Sequence, residues 1–233
     1  MCADSFFIKG LDKRKKLYYN KNNRMVTFGG DVLEQSKKSL ITRTKILEAA
    51  EEQFAEKGLA AARVDEIALL AGVNKRMVYA HFESKDGLYK AVLKIVYARI
   101  ADFETSIEDL DFTGSDSVKQ VIHMYFDFLM NNNSFVRLLL WENLEYARNI
   151  EESGISLFVG IEKLIEKGVK KGLVRADIDI KQTVMSCNLF CFSAFSNVHT
   201  LSKLTCSDLA CDEELRKRCS HVADVLADYI VKK

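Results

Sequence analysis

VDEIALLAGVNKRMVYAHFESKDGL, residues 64–88, decides how the rest of the chain is read. Val64, Ile67, Ala68 and Ala71 recur at the i, i+3, i+4, i+7 spacing of one apolar helix face. Gly72 follows, suited to the left-handed conformation that ends a helix. Asn74 is then a favourable N-cap for a second short helix, residues 75–82. That helix buries Val78 and Phe82 and leaves Lys75, Arg76, Met77, Tyr79, Ala80 and His81 on its other faces. Two short helices joined by a Gly-containing turn form the unit that lays its second helix in the DNA major groove. The spacing alone fits an ordinary helical hairpin in a bundle core equally well.

The flanks separate the two readings. Ahead of the motif stands TRTKILEAAEEQFAEKGLAAARVDEIA, and behind it YAHFESKDGLYKAVL. With its ILEAA…F…G first helix, V..IA..AGV turn and Y..F.SK..L junction, the chain resembles the TetR/AcrR family of transcriptional regulators. The resemblance is residue-specific over 40–93 and one of helical layout beyond. It departs at Gly87, where the family usually carries an acidic residue that closes a capping box on Ser84.

Composition agrees with a helical protein. Proline is absent and only 11 of 233 residues are Gly, which disfavours a turn-rich β architecture. Hydrophobic residues make up 48% and charged residues 29%, with a net charge of +1. The charge is uneven: residues 1–90 carry 17 Lys/Arg against 12 Asp/Glu, and residues 91–233 carry 17 against 21. A mildly basic front half suits phosphate contacts, since neutralising phosphates releases counterions. No signal peptide or transmembrane run is legible, and the six Cys form no C-x-x-C, so a cytoplasmic location with free thiols is expected.

Residues 1–38 read as a flexible basic extension, with DKRKK at 12–16. Met25 is a second candidate start, in which case 1–24 stand outside the natural protein. Residues 39–86 form the predicted helix-turn-helix domain, with a first helix over 40–57 capped by Ser39 or Thr42. Residues 87–233 form a helical body with further helices over 88–107, 118–130, 135–150, 153–171, 180–200 and 212–231, about nine helices in all. Ser84, Ser134 and Asp179 are the predicted caps of the fourth, sixth and eighth.

The expected DNA-facing set is Thr42, Arg43, Thr44, Arg63, Asn74, Lys75, Arg76, Met77, Tyr79, His81 and Lys85. The first three lie near the DNA backbone in the arrangement that the resemblance implies. Lys75 and Arg76 sit near the helix N-terminus, where base edges are reached, and Tyr79 and Lys85 are placed for phosphates. The aromatic residues Phe103, Tyr125, Phe126, Trp141 and Phe158 are candidates to line an effector cavity. The segment 180–200 is apolar on more than one side and must be covered twice. Cys191, Phe195 and Val198, with Val222 and Leu226 of the last helix, are the expected homodimer interface.

Enzyme motifs are missing: no G-x-S-x-G, P-loop, dinucleotide fingerprint or H-E-x-x-H occurs. Glu142 and Glu145, three apart on one helix, fit a di-acid site, though two unrelated carboxylates are the plainer reading. No catalytic residue, metal or cofactor is expected. The resemblance implies an all-α homodimeric repressor released from a palindromic DNA operator by a small, mostly apolar effector. The alternative is a helical dimer of the same fold acting mainly on a protein or lipid partner.

Overall fold

The computed structural model describes residues 17–19, 25–27, 34–145, 149 and 158–232. The DKRKK run lies outside the described residues. Within the predicted extension, β1 (Leu17–Tyr19) pairs antiparallel with β2 (Met25–Thr27), Tyr18 opposite Val26. Everything that carries the architecture is helical. α1 spans Glu34–Ala61, α2 Val64–Leu70, α3 Lys75–Phe82 and α4 Lys85–Glu108. The body continues with α5 (Ser115–Asn131), α6 (Asn133–Leu144), α7 (Val159–Lys170), α8 (Ile180–Ser196), α9 (Val198–Thr205) and α10 (Asp212–Ile230).

α1 starts earlier than predicted, so Ser39 and Thr42 lie inside it and cap nothing. Its predicted stop, Gly58, is a kink with φ 71° and ψ 172°, after which the chain winds on to Ala61. Ser84 and Asp179 do cap, accepting from the N–H of Gly87 at 2.9 Å and of Gln182 at 3.1 Å. Ser134 does not; its hydroxyl donates to Glu51 Oε1 of α1 at 2.5 Å. The predicted helix over 180–200 is two helices, because Asn197 (φ −113°, ψ 15°) bends the chain between α8 and α9. That gives ten helices among the described residues where about nine are expected.

One apolar core runs through the molecule. Ile46, Ala50 and Phe54 of α1 meet Ile67, Ala68, Val78 and Phe82 of α2 and α3. Leu88, Val92, Val96 and Ile100 of α4 carry the same core into the body, where α10 packs along α5 and α7 along α4. α4 and α6 both pack on α1, so the first helix is gripped by the body.

Candidate nucleic-acid interface

The α2–α3 turn is built by backbone bonds that its glycine permits. Gly72 (φ 65°) donates to Leu69 O at 3.1 Å and Val73 to Ala68 O at 3.0 Å, satisfying carbonyls that the end of α2 leaves open. Asn74 then accepts from Met77 N–H at 2.9 Å and starts α3. Its Oδ1 is engaged in that cap, while its Nδ2 amide stays exposed. Val78 and Phe82 anchor α3 in the core, and Lys75, Arg76, Met77, Tyr79 and Ala80 stand in solvent. His81 is half-buried, its ring tilted against Phe82 at 6.1 Å.

The cations of this surface are held differently from one another. Lys75 pairs with Asp65 at 3.0 Å, and that hydrogen bond raises its pKa, so it stays charged. Such an exposed pair is weak and yields readily to a phosphate. Arg76 is exposed, and Arg63 is exposed at the start of α2. Arg43 lies over the Phe82 ring, its guanidinium carbon 4.7 Å from the centroid, between half-buried Thr42 and Thr44. Lys85 differs from expectation: its Nζ donates to the carbonyls of Ala60 and Ala62, at 3.2 and 3.3 Å. It ties the end of α1 to the start of α4.

Between α3 and α4 the chain turns very tightly. Glu83 has φ 65° and ψ −47°, and Ser84 N–H donates to Phe82 O at 2.7 Å, the geometry of a γ-turn. The turn aims Phe82 O at the first turn of α4, where a Cβ on Gly87 would lie 2.4 Å from it. This explains the departure at Gly87: no side chain fits there while the turn stands.

This outward face behind a glycine turn has counterparts among known proteins. Residues 46–92 match the sequence model of the bacterial regulatory proteins of the tetR family, and 115–226 that of the tetracyclin repressor-like C-terminal domain. Over 177 residues the chain is 33% identical to the HTH-type transcriptional repressor NicS of Pseudomonas putida, covering 72% of this chain and 82% of that one. The chain belongs to the TetR family. It is a DNA-binding transcriptional regulator. The HTH-type transcriptional repressor SCO4008 of Streptomyces coelicolor is 33% identical over 106 residues, 46% of this chain and 52% of that one. The transcriptional regulator SCO4942 of the same species superposes with a TM-score of 0.64 at 25% identity, over 81% of this chain and 98% of that one. FadR of Bacillus subtilis, solved with stearoyl-CoA, shares the fold at a TM-score of 0.63 and 20% identity, over 80% and 98%.

In this TetR-family chain the body departs from the sequence expectation at several residues. Cys191 (1% exposed), Val222 (2%) and Leu226 (2%) fill the protomer's own core and offer no surface to a partner. Phe195 is half-buried against Phe126, centroids 5.5 Å apart, and Val198 sits on α9 beyond the Asn197 bend. Large apolar residues are exposed on α8 at Met185, Leu189 and Phe190 and on α10 at Val225 and Tyr229, as are Leu144, Val169 and Leu204 elsewhere in the body. Burial pushes the Cys187 thiol up to about 12 and Cys191 well above its ordinary value, so neither is a ready nucleophile.

The five candidate pocket aromatics do not converge on one cavity. Phe103 packs edge-on to Tyr125 at 4.8 Å, in the core. Phe126 faces α8, and Phe158 lines a surface groove of about 360 Å³ with Glu162, Lys181 and Leu189. Trp141 points at α1: its Nε1–H donates to Ala55 O at 3.2 Å, beside Arg137 Nε on the same oxygen at 2.9 Å. Glu142 and Glu145 diverge as well, Glu142 wholly buried and Glu145 exposed, so no di-acid site forms. Two buried carboxylates are polar landmarks of the body. Glu104 of α4 accepts from Tyr125 hydroxyl and from Gly160 N–H at 2.8 Å, and Glu142 of α6 accepts from Tyr89 hydroxyl at 2.9 Å.

Proposed function

We propose that the protein is a homodimeric repressor that holds a palindromic operator through α3 of each protomer and releases it when a small effector enters the helical body. The carrying observation is the face of α3. Val78 and Phe82 are locked in the core, while Lys75, Arg76, Met77 and Tyr79 stand together in solvent. In this reading Arg76 and Lys75 reach base edges, and Tyr79, Arg63, Thr42 and Thr44 position the backbone. The relatives NicS and SCO4008 are both named repressors, which supports repression over activation. Dimerisation is assigned to the outward residues of α8 and α10, Met185, Leu189, Val225 and Tyr229. Among the described residues no helix is long and apolar enough to cross a membrane.

The deciding experiment is selection of operator sequences from a random duplex library, followed by titration in increasing salt. A palindromic consensus with half-sites about one helical turn apart, bound less tightly as salt rises, is the expected result. Binding without sequence preference would overturn the reading.

A further inference from the structure

The outward side of α3 has an order of its own. Val78 is 1% exposed and Phe82 6%, and together they fix which side of the helix faces the core. At about 100° per residue, the direction midway between them is inward, and Ala80 points about 180° away from it. Arg76 lies about 40° to one side of Ala80 and Met77 about 60° to the other. Tyr79 and His81 stand about 100° off, at the margins. Of these residues all but His81 are exposed, and Met77 keeps 36% of its surface open. Met77 is also held in place, since its N–H donates to Asn74 Oδ1 at 2.9 Å.

The ridge that leads α3 into the major groove is therefore one cation beside two apolar side chains. Ala80 at its crest carries a single methyl group, so nothing longer holds the helix off the base edges. A methyl group makes no hydrogen bond. Set against the amino group of cytosine or adenine, or O6 of guanine, it shuts out water and offers no partner in return, which costs free energy. Thymine alone presents an apolar group in the major groove, its C5-methyl. Met77 extends the same apolar strip with a flexible thioether that moulds to what it meets.

We infer that Ala80 and Met77 are specificity-determining residues that select thymine in each operator half-site by its C5-methyl group. The inference rests on the reading of α3 as the recognition helix and names the base chemistry that it reads. Burial of one methyl group shifts a binding equilibrium about fourfold. A two-fold dimer makes the contact twice, so loss of the methyl from both half-sites amounts to about fifteenfold.

The test uses the full chain and its selected operator, with thymines replaced one position at a time, in both half-sites, by deoxyuridine. Deoxyuridine keeps the base pairing and every hydrogen-bonding group and loses only the methyl. At one or two positions per half-site the replacement should weaken binding about fifteenfold, with the salt slope unchanged because no phosphate contact is touched. The ratio of thymine to deoxyuridine affinity is then measured within each variant, so a general loss of affinity cancels. Ala80→Gly should bring that ratio to about one at the position beneath it, and Met77→Ala should lower it about threefold or more at its own. Met77→Ala, which introduces the best helix former, carries the test if Ala80→Gly fails to fold. Half-sites without thymine, or selective binding indifferent to every thymine methyl, would overturn the inference and leave the recognition helix standing. A methyl preference that survives either substitution overturns the part given to that residue. Binding without sequence preference overturns the recognition reading and this inference with it.

Discussion

The indole of Trp141 lies flat against Gly58, so close that a Cβ on the glycine would stand 2.8 Å from Trp141 Cδ2. Gly58 also has a φ of 71°, a conformation that side chains resist. Gly58→Ala should therefore destabilise the protein by about 1–3 kcal/mol through strain and displaced indole. Because Trp141 is the single tryptophan, its emission should shift in the folded variant. Unchanged denaturant midpoint and unchanged emission would refute the contact.

The γ-turn at Glu83 and the bare Cα of Gly87 make a linked pair. Gly87→Ala brings a Cβ against Phe82 O and should cost about 1–3 kcal/mol, with operator affinity falling alongside. Glu83→Gly relaxes the positive φ and should leave stability unchanged or raise it by up to about 1 kcal/mol. Chemical denaturation of both variants checks the pair; a Gly87→Ala protein as stable as the parent would end this account.

Arg76 and Lys85 should fail in different ways. Arg76→Ala should relax preference at one or two operator positions by about 1–3 kcal/mol. Lys85→Ala frees the carbonyls of Ala60 and Ala62, so it should lower the melting temperature and weaken all operators alike, with the salt slope intact. A flattened salt slope with unchanged melting would mean that Lys85 meets phosphate instead.

Leu189 and Leu226 test the dimer assignment together. Leu189, 58% exposed, should accept Leu189→Glu without loss of fold while the protein sediments as a monomer. Leu226→Ala should instead destabilise the protomer by about 2–5 kcal/mol. A dimer that survives Leu189→Glu would move the interface elsewhere.

Glu104 gives the protein a pH dependence of calculable sign. Burial pushes its carboxyl from 4.5 up to about 7, although the N–H groups of Gly160, Ile161 and Phe158 pull it down. A carboxyl raised on folding stabilises most below its unfolded value, and that contribution fades as pH climbs to about 7. Between pH 5 and 7 the native protein should lose on the order of a few kcal/mol from this group, and Glu104→Gln should flatten the loss. Thermal melts of both proteins across that range decide it; parallel curves would show that Glu104 does not titrate there.

Local rules carried most of the fold. The apolar stripe of Val64, Ile67, Ala68 and Ala71, and the caps at Asn74, Ser84 and Asp179, each depend on residues a few positions apart. Which side of α8 turns inward was harder, because α8 is apolar on more than one side and its sequence cannot phase it. Cys191 and Leu189 are equally plausible on paper, and only packing against α5 and α10 turns one inward. The bend at Asn197 was masked by the apolar residues on both its sides. The contacts of Lys85 and Trp141 are illegible for another reason: their partners, Ala60 with Ala62 and Ala55, are backbone carbonyls far along the chain, which carry no side-chain signal.

Arg137 and Trp141 both seize the carbonyl of Ala55, near one end of α1, and Arg43 rests on Phe82 of the recognition helix twelve residues away. At 1.5 Å per residue that makes α1 a lever with an arm of about 18 Å. Tilting it by roughly 5° about Ala55 carries the Arg43 end about 1.5 Å sideways. In a two-fold dimer both arms swing, so the spacing between recognition helices changes by about twice that against half-sites fixed about 34 Å apart. In the proposed dimer, a small tilt of α1 would thus be read as a mismatch with the groove.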